Sequence, residues 1–330
     1  MTARPAPAGP RPAVTSPAVT RPAPPAAAPE APLDARRILV IHNPTAGWRR
    51  PQLLRDLVSA LRAAGREVEV MPTAHPGHAV ELALAASGQG WDLVVAAGGD
   101  GTINEVLNGL YGSNLPLALC PLGTANVLAH EIGLRPDADR LAAAILAGRT
   151  AAVAVGWCNG QGIADRAFVQ MLGVGFDAQV VADVSRGLKR RLGRWAYVLM
   201  SLRAALRYHY PEFEVRLDGV AHRACSVIVA NGRHYGGPYV SAPAADLRRP
   251  ELQVCLFHRG GPLYVARYGL ALLTGRLSRL RDVSIHAATG IEIKAPAGEP
   301  VQGDGDTFGS TPVSVGVRAG RQLLVVPEGN

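Results

Sequence analysis

Residues Val94 to Thr102 read VVAAGGDGT, and few folds accommodate that run. Val94, Val95, Ala96 and Ala97 are consecutive apolar residues, the pattern of a short strand buried on both faces. Gly98, Gly99 and Gly101 then remove three side chains within four positions. Behind them Ile103, Val106, Leu107 and Leu110 recur at helical spacing, with Thr102 and Asn104 of capping type. A buried strand, a glycine turn and a helix start present backbone N–H groups and the positive end of a helix dipole to an anion. Asp100 lies inside that turn, where a carboxylate repels a bare phosphate. A divalent cation between the carboxylate and the phosphate oxygens removes the conflict. An ordinary strand-end turn is the alternative reading of the same residues.

The surrounding pattern extends this unit. Strands are expected at Ile38–Ile41, Glu67–Met71, Leu93–Ala97 and Leu115–Cys120, and helices over 51–64, 77–86, 102–110 and from about Asn126. Such alternation predicts a parallel sheet covered on both faces. After about Thr150 the character changes. Short strands are expected at Ala151–Val155, Ala167–Leu172, Glu212–Leu217, Ala224–Ala230, Leu252–Phe257, Val283–Ala288, Ile291–Ala295, Val313–Val317 and Gln322–Val326. Gly, Pro and Asp turns join most of them, which predicts an antiparallel sandwich-like unit. The last strands are expected to pair with one another rather than extend the parallel sheet. The division is therefore a Pro/Ala-rich tail over 1–35, an α/β domain over 36–150 and a β-rich domain over 151–330. Residues 1–33 hold ten Pro and ten Ala, so the tail is too poor in core-forming residues to fold alone.

One long helix is expected in the β-rich half, from about Arg186 to Tyr208. Leu188, Leu192, Trp195, Leu199, Leu202 and Leu206 form one apolar stripe on it. Its first turns carry Arg186, Lys189, Arg190, Arg191 and Arg194. Two readings fit: a core-packed helix with a solvated cationic face, or a helix touching an anionic membrane surface.

Three loops follow the carboxyl ends of the expected parallel strands: Asn43–Gly47 (NPTAG), Gly98–Thr102 (GGDGT) and Leu122–Asn126 (LGTAN). Ligands bind at that edge of an open α/β sheet. Each loop joins glycine, for close backbone approach, to Thr or Asn, for hydrogen bonds, and together they suit a phosphate-rich nucleotide. GxxxxGK[ST] and GxGxxG are both missing, which excludes a P-loop NTPase and an ordinary dinucleotide fold. Later, Asp304-Gly305-Asp306 supplies two carboxylates. In an extended segment they would share one side, one to deprotonate a hydroxyl and the other to orient it or aid a metal. An ordinary Gly-Asp-Gly turn is the alternative.

Lys and Arg number 34 against 26 Asp and Glu, a net charge of +8 that suits anionic partners. No aromatic-studded basic strand or zinc module points to nucleic acid. Cys120, Cys158, Cys225 and Cys255 stand far apart, outside metal-ligand spacing, as in a reducing compartment. A long apolar span and a signal-peptide core are also missing, so a cytoplasmic protein, peripheral at the membrane, is expected.

NPTAG, GGDGTINEV, LPLALCPLGTANVLA, GVGFDA, LKRRLGRWAYVL and ANGRHYGG occur in this order. Together they resemble the soluble lipid kinases of the diacylglycerol-kinase and sphingosine-kinase superfamily, most closely the bacterial diacylglycerol-kinase-like branch, over about residues 36–328. The resemblance implies transfer of a phosphoryl group from ATP, with Mg²⁺, to a lipid hydroxyl. It implies that Asn43, Thr45, Gly47, Thr73, Gly99, Asp100, Gly101, Thr102, Asn104, Glu105, Thr124 and Asn126 line the nucleotide site. Asp100 would hold the phosphate-bound magnesium, Asp306 would be the general base and Asp304 its acidic neighbour. Alternatives are a sphingoid-base or ceramide kinase, an NAD or polyol kinase, or a lipid-binding protein with weakened catalysis. Two positions depart from the family pattern. Asp306 stands where the family usually has Glu, and its carboxylate reaches roughly 1.5 Å less. Around Asp246 to Glu251, Arg249 and Pro250 occupy a turn that in relatives helps hold a structural magnesium. A fixed positive charge disfavours a cation there, so that second site is expected to be absent unless Asp246 or Glu251 is recruited.

Overall fold

The computed structural model describes residues 32–46, 50–160, 163–183, 201, 203–295 and 298–327. The first half alternates as its periodicity requires: β1 (Arg37–His42), α1 (Pro51–Ala63), β2 (Glu67–Pro72), α2 (His78–Ala86), β3 (Leu93–Gly98), α3 (Asp100–Leu110), β4 (Leu117–Pro121), α4 (Val127–Glu131) and α5 (Ala138–Ala147). The strands are parallel in the order β2-β1-β3-β4. Every residue of β3 is buried, as a central strand covered on both faces must be. Leu57, Leu61, Ile103, Leu107 and Leu110 bring the inner faces of α1 and α3 into the same core. Asp137 caps α5 by accepting the Arg140 N–H at 3.0 Å.

The second half is strand-rich. It comprises β5 (Thr150–Gly160), β6 (Ile163–Phe168), β7 (Met171–Gly175), α6 (Phe176–Asp183), β8 (Phe213–Leu217), β9 (Val220–Ala224), β10 (Ser226–Ala230), β11 (His234–Tyr235), β12 (Tyr239–Val240), β13 (Leu252–Phe257), α7 (Pro262–Leu273), β14 (Val283–Ala288), β15 (Gly290–Lys294), β16 (Pro300–Gly303), β17 (Asp306–Ser310) and β18 (Val313–Val325). Six of these strands form one antiparallel sheet, β14-β13-β10-β7-β16-β17. Its inner face packs on β8, β15 and β18 through Val174, Val227, Val254, Phe213, Ile291 and Val315, a sandwich core. Its outer face is also covered, by α7 and neighbouring loops, through Ile228, Cys255, Phe257 and Ala271. Burial of both faces explains why LQVCLF in β13 is uninterrupted by an exposed residue. Burial also pushes the thiols of Cys120, Cys158 and Cys255 up to about 12.

Several sequence expectations change. The two terminal strands are one, β18, and it does extend the parallel sheet: Leu324 pairs with Leu117 of β4. One sheet of ten strands therefore runs through both halves. A bulge between Arg318 and Gln322 lets β18 follow β5 along its length while its other edge passes from β15 to β4. The single strand expected over Ala167–Leu172 is broken at Val169-Gln170 into β6 and β7. Helix α7 lies in a stretch expected to connect strands by turns. Of the long helix expected over 186–208, the described residues show helix at 201 and 203–207. Arg186, Lys189, Arg190, Arg191 and Arg194 lie outside the described residues, as do Gly47 and the tail through residue 31. Among the described residues, no helix is long and apolar enough to cross a membrane.

Candidate active site

Parallel order alone brings the carboxyl ends of β1, β3 and β4 to one edge, and side chains then tie their loops together. Asn43 donates to Thr102 Oγ1 at 3.1 Å and accepts from the Thr45 N–H at 2.9 Å and its hydroxyl at 2.8 Å. The Thr73 N–H donates to the His42 carbonyl at 2.8 Å, bringing the end of β2 alongside. The Leu122 N–H donates to the Gly98 carbonyl at 2.9 Å. A Cβ on Gly123 would lie 2.6 Å from Gly99 Cα, so the GGDGT and LGTAN loops touch backbone to backbone and admit no side chain there. Asp100 Oδ1 accepts the Val127 N–H at 2.7 Å, joining the first turn of α3 to that of α4. Thr124 is exposed beside this contact.

Two expected contacts point elsewhere. Asn104 is buried, and its amide donates to Asp304 Oδ2 at 2.8 Å and to the Ala167 carbonyl at 3.0 Å. Glu105 accepts the Gly77 N–H at 3.0 Å, at the start of α2. Both side chains therefore brace the fold.

Asp304 and Asp306 do not share one side of an extended segment. Asp304 and Gly305, with φ of +50° and +85°, form the two-residue turn of the β16–β17 hairpin, and Gly303 pairs with Asp306 across it. The turn sends the carboxylates in different directions. Asp304 Oδ1 accepts the Gln170 and Met171 N–H groups at 2.9 and 3.0 Å, and Oδ2 accepts the Val169 N–H at 2.8 Å besides Asn104. The break between β6 and β7 supplies those three consecutive donors. Burial raises the Asp304 pKa, while the four N–H donors act in the opposite direction by stabilising the anion. Asp306 faces the glycine loop. A Cβ on Gly101 would lie 2.9 Å from Asp306 Oδ2, so this carboxylate sits directly against the first turn of α3. The GGDGT loop and the distant acidic turn thus meet in one place.

Sequence reasoning passed over several groups here. Arg50 donates to the Pro121 carbonyl at 3.1 Å, which sets a guanidinium at the carboxyl end of β4. Burial, together with the charges of His234 and Arg50, lowers the pKa of His130. Asp177, from GVGFDA, accepts hydrogen bonds from the Tyr235 hydroxyl and, at 2.7 Å, from Gln302 Nε2. Burial raises its pKa against those two bonds. Buried Glu131 holds the ANGRHYGG loop by accepting from Arg233 Nε and the His234 N–H, both at 3.0 Å. Pairing between distant loops carried each of these, and local sequence pattern does not signal it.

The residues present fit a phosphate and a magnesium ion. Helix α3 begins on Gly99 with no side-chain cap, leaving N–H groups directed outward. Asn126 Oδ1 is buried and has no hydrogen-bond partner among the described residues. Magnesium takes one or two carboxylates plus phosphate oxygens rather than a full protein cage, and Asp100 lies at that turn. Among the described residues, no group of three or more metal-ligating side chains occurs. At the proposed second site, Asp246 is instead gripped by Arg248, through Nε at 3.0 Å and Nη2 at 3.2 Å, and Glu251 accepts from Gln253 at 3.2 Å.

Comparison with known proteins places this geometry in a class. Residues 37–158 match the diacylglycerol kinase catalytic domain, and residues 170–326 match the YegS C-terminal NAD kinase beta sandwich-like domain. A "Probable lipid kinase YegS-like" from Pseudomonas aeruginosa (strain PAO1) is 32% identical over 88% of this chain and 97% of its own length. The diacylglycerol kinase of Bacillus subtilis (strain 168) is 34% identical over 56% of this chain and 60% of its own. A solved structure of a diacylglycerol kinase from Bacillus anthracis str. Sterne superposes with a TM-score of 0.69 at 21% identity, covering 89% of this chain and 98% of that one. Together, fold and matches define a lipid kinase. The chain belongs to the YegS-like branch of the diacylglycerol kinase family.

Proposed function

We propose that the protein transfers the terminal phosphoryl group of ATP to the hydroxyl of diacylglycerol or a closely related lipid, at the membrane surface. The half up to about residue 150 holds the nucleotide, and the rest shapes the acceptor cleft. One observation carries the reading: Asp306, from the far end of the chain, lies against Gly101 in the first turn of α3. An acceptor hydroxyl beside Asp306 would lie next to the phosphate cradle, the arrangement in-line transfer needs.

The chain's own groups then divide the work. Backbone N–H groups at the start of α3 and in the LGTAN loop bind phosphate oxygens, and the glycine contact between Gly99 and Gly123 lets the backbone approach. Asn43, Thr45, Thr73, Thr124 and Asn126 lie around that edge and orient the nucleotide. Asp306 accepts the proton of the attacking hydroxyl. Asp304 keeps Asp306 in position through the hairpin turn. Bound at Asp100, magnesium would neutralise charge on the transferred group.

The test is incubation of purified protein with labelled ATP, magnesium and a lipid panel that includes diacylglycerols, sphingoid bases and ceramide, with NAD and polyols alongside. Label in a diacylglycerol product, lost in Asp306→Ala while the melting temperature holds, is expected. Transfer undiminished in that variant removes Asp306 as the base, and label in NAD alone overturns the reading.

A further inference from the structure

Helix α7 carries a single charged residue, Arg267, yet it lies on the surface. Tyr268, Ala271 and Leu272 face inward, onto the outer side of the six-stranded sheet. Leu263, Ala266, Leu270 and Leu273, spaced three and four apart, face outward. Leu263 is 85% exposed, Leu270 64% and Leu273 60%. A helix with large apolar side chains on its outward as well as its inward face belongs in a core or at a membrane, and large apolar patches on a soluble protein mark a docking surface.

Charge identifies the partner. From His258 to Val283 the sequence holds five arginines, Arg259, Arg267, Arg276, Arg279 and Arg281, against a single acid, Asp282. All five are exposed. His258, Arg259, Tyr264, Arg267, Arg281 and Asp282 line an open depression of about 480 Å³ at the helix's amino-terminal end. Arg267 is held by Asp282 at 3.0 Å, which fixes one guanidinium at the rim of the apolar stripe. Leucines flanked by arginines, with tyrosine at the boundary, match the layering of acyl chains beneath anionic headgroups. With twelve residues α7 is about 18 Å long, too short to span the ~30 Å of hydrocarbon. It would lie in the interface plane.

We propose that α7 and its arginine collar are the surface on which this protein docks to an anionic lipid bilayer. The inference rests on the lipid-kinase reading, since a kinase for a bilayer lipid must meet its acceptor there. Position supports it: the inner face of α7 shares its apolar cluster with Met171 and Tyr235. Tyr235 reaches Asp177, and the Met171 N–H reaches Asp304. A docked α7 therefore holds the acceptor half of the site close to the bilayer.

The experiment floats the full chain on vesicles of equal parts phosphatidylcholine and phosphatidylglycerol, and on phosphatidylcholine alone. Wild type is expected on the anionic vesicles, with binding that weakens as salt rises. Leu263→Ser, Leu270→Ser and Leu273→Ser combined should weaken binding by about 1,000-fold, given about tenfold for each leucine withdrawn. The melting temperature and the phosphorylation of a soluble short-chain diacylglycerol should not change, because these side chains are exposed and none belongs to the proposed site. Arg259→Glu with Arg281→Glu should abolish the preference for anionic vesicles. Flotation of the leucine variant equal to wild type overturns the proposal, as does equal binding to both vesicle types. So does light scattering in which wild type is a dimer that the leucine variant dissociates, with vesicle binding intact. If wild type docks as described but phosphorylates no soluble lipid, the docking surface stands and the kinase reading falls.

Discussion

Replacing Asp304 with Asn tests the scaffold behind the proposed base. The carboxylate takes two N–H donors on each oxygen: Gln170 and Met171 on one, Val169 and Asn104 on the other. An amide can accept on one side only, so its NH₂ group must confront two donors. Asn104 is unable to turn its own amide round in response, because its Nδ2 also donates to the Ala167 carbonyl and its Oδ1 accepts from Asn108 at 3.1 Å. Two buried donors lose their acceptor, at roughly 1–3 kcal/mol each. Set against a total stability of about 5–15 kcal/mol, that is a large loss, equivalent to a fall in melting temperature of roughly 3–9 °C for a chain of this size. The hairpin turn should also shift, carrying Asp306 off Gly101, and a displacement near 1 Å costs ~10²-fold in turnover. Calorimetry and a lipid-kinase assay read the two effects. A melting temperature within about 2 °C of wild type would falsify the reasoning, because it would mean the carboxyl already carries a proton and that Asn replaces it without strain.

Three further outcomes are expected. Gly123→Ala pushes a methyl group into the Gly99 backbone, 2.6 Å from its Cα; this should cost about 1–3 kcal/mol, and nucleotide affinity measured by calorimetry should fall with it. A denaturation midpoint equal to wild type would show that the two loops separate freely. His42 titrates below its ordinary value because of burial, so between its folded pKa and the unfolded value of about 6.5 the unfolded chain binds more protons. Stability should therefore fall as pH drops from about 7 to about 5, and less so in His42→Gln; identical urea midpoints in the two proteins across that window would remove His42 as a contributor. Asp306→Glu, which restores the longer side chain, should press on Gly101, where the Asp oxygen already sits 2.9 Å from a built Cβ. Activity at or above wild type would show that the backbone yields.

How much of this was legible in the sequence depended on the range of the interaction. Val94–Thr102 announced strand, turn and helix because each signal is local, and parallel order then brought Asn43, Gly99 and Gly123 to one edge. Periodicity says which residues are buried but not which edge a strand meets, so β18 was split and its pairing with β4 missed. Asp304-Gly305 is the dipeptide of a tight hairpin turn, with Val301 and Phe308 as apolar residues on either side, and weighing it would have separated the two carboxylates. The break at Val169-Gln170 had no local signal, since its cause, a carboxylate more than a hundred residues later, lies elsewhere in the chain. The one helix expected from about Asn126 is two, α4 and α5, although Asp137 at the start of α5 and Gly148 at its end are local boundary signals. Helix α7 was obscured because Leu263, Leu270 and Leu273 occupy its exposed side, where the polar face of an amphipathic helix would otherwise mark it.

The strand that joins β4 to the rest of the ten-stranded sheet follows every residue of the phosphate cradle along the chain. Until Gln322 to Val325 emerge, β4 has one open edge, and a nascent chain already able to form its nucleotide half carries an unpaired ladder of N–H and C=O groups. Truncation after β17 would leave that ladder exposed permanently and should yield an aggregating product, even though every residue of the phosphate cradle is present. The α/β half of this architecture is complete only once β18 is in place beside β4.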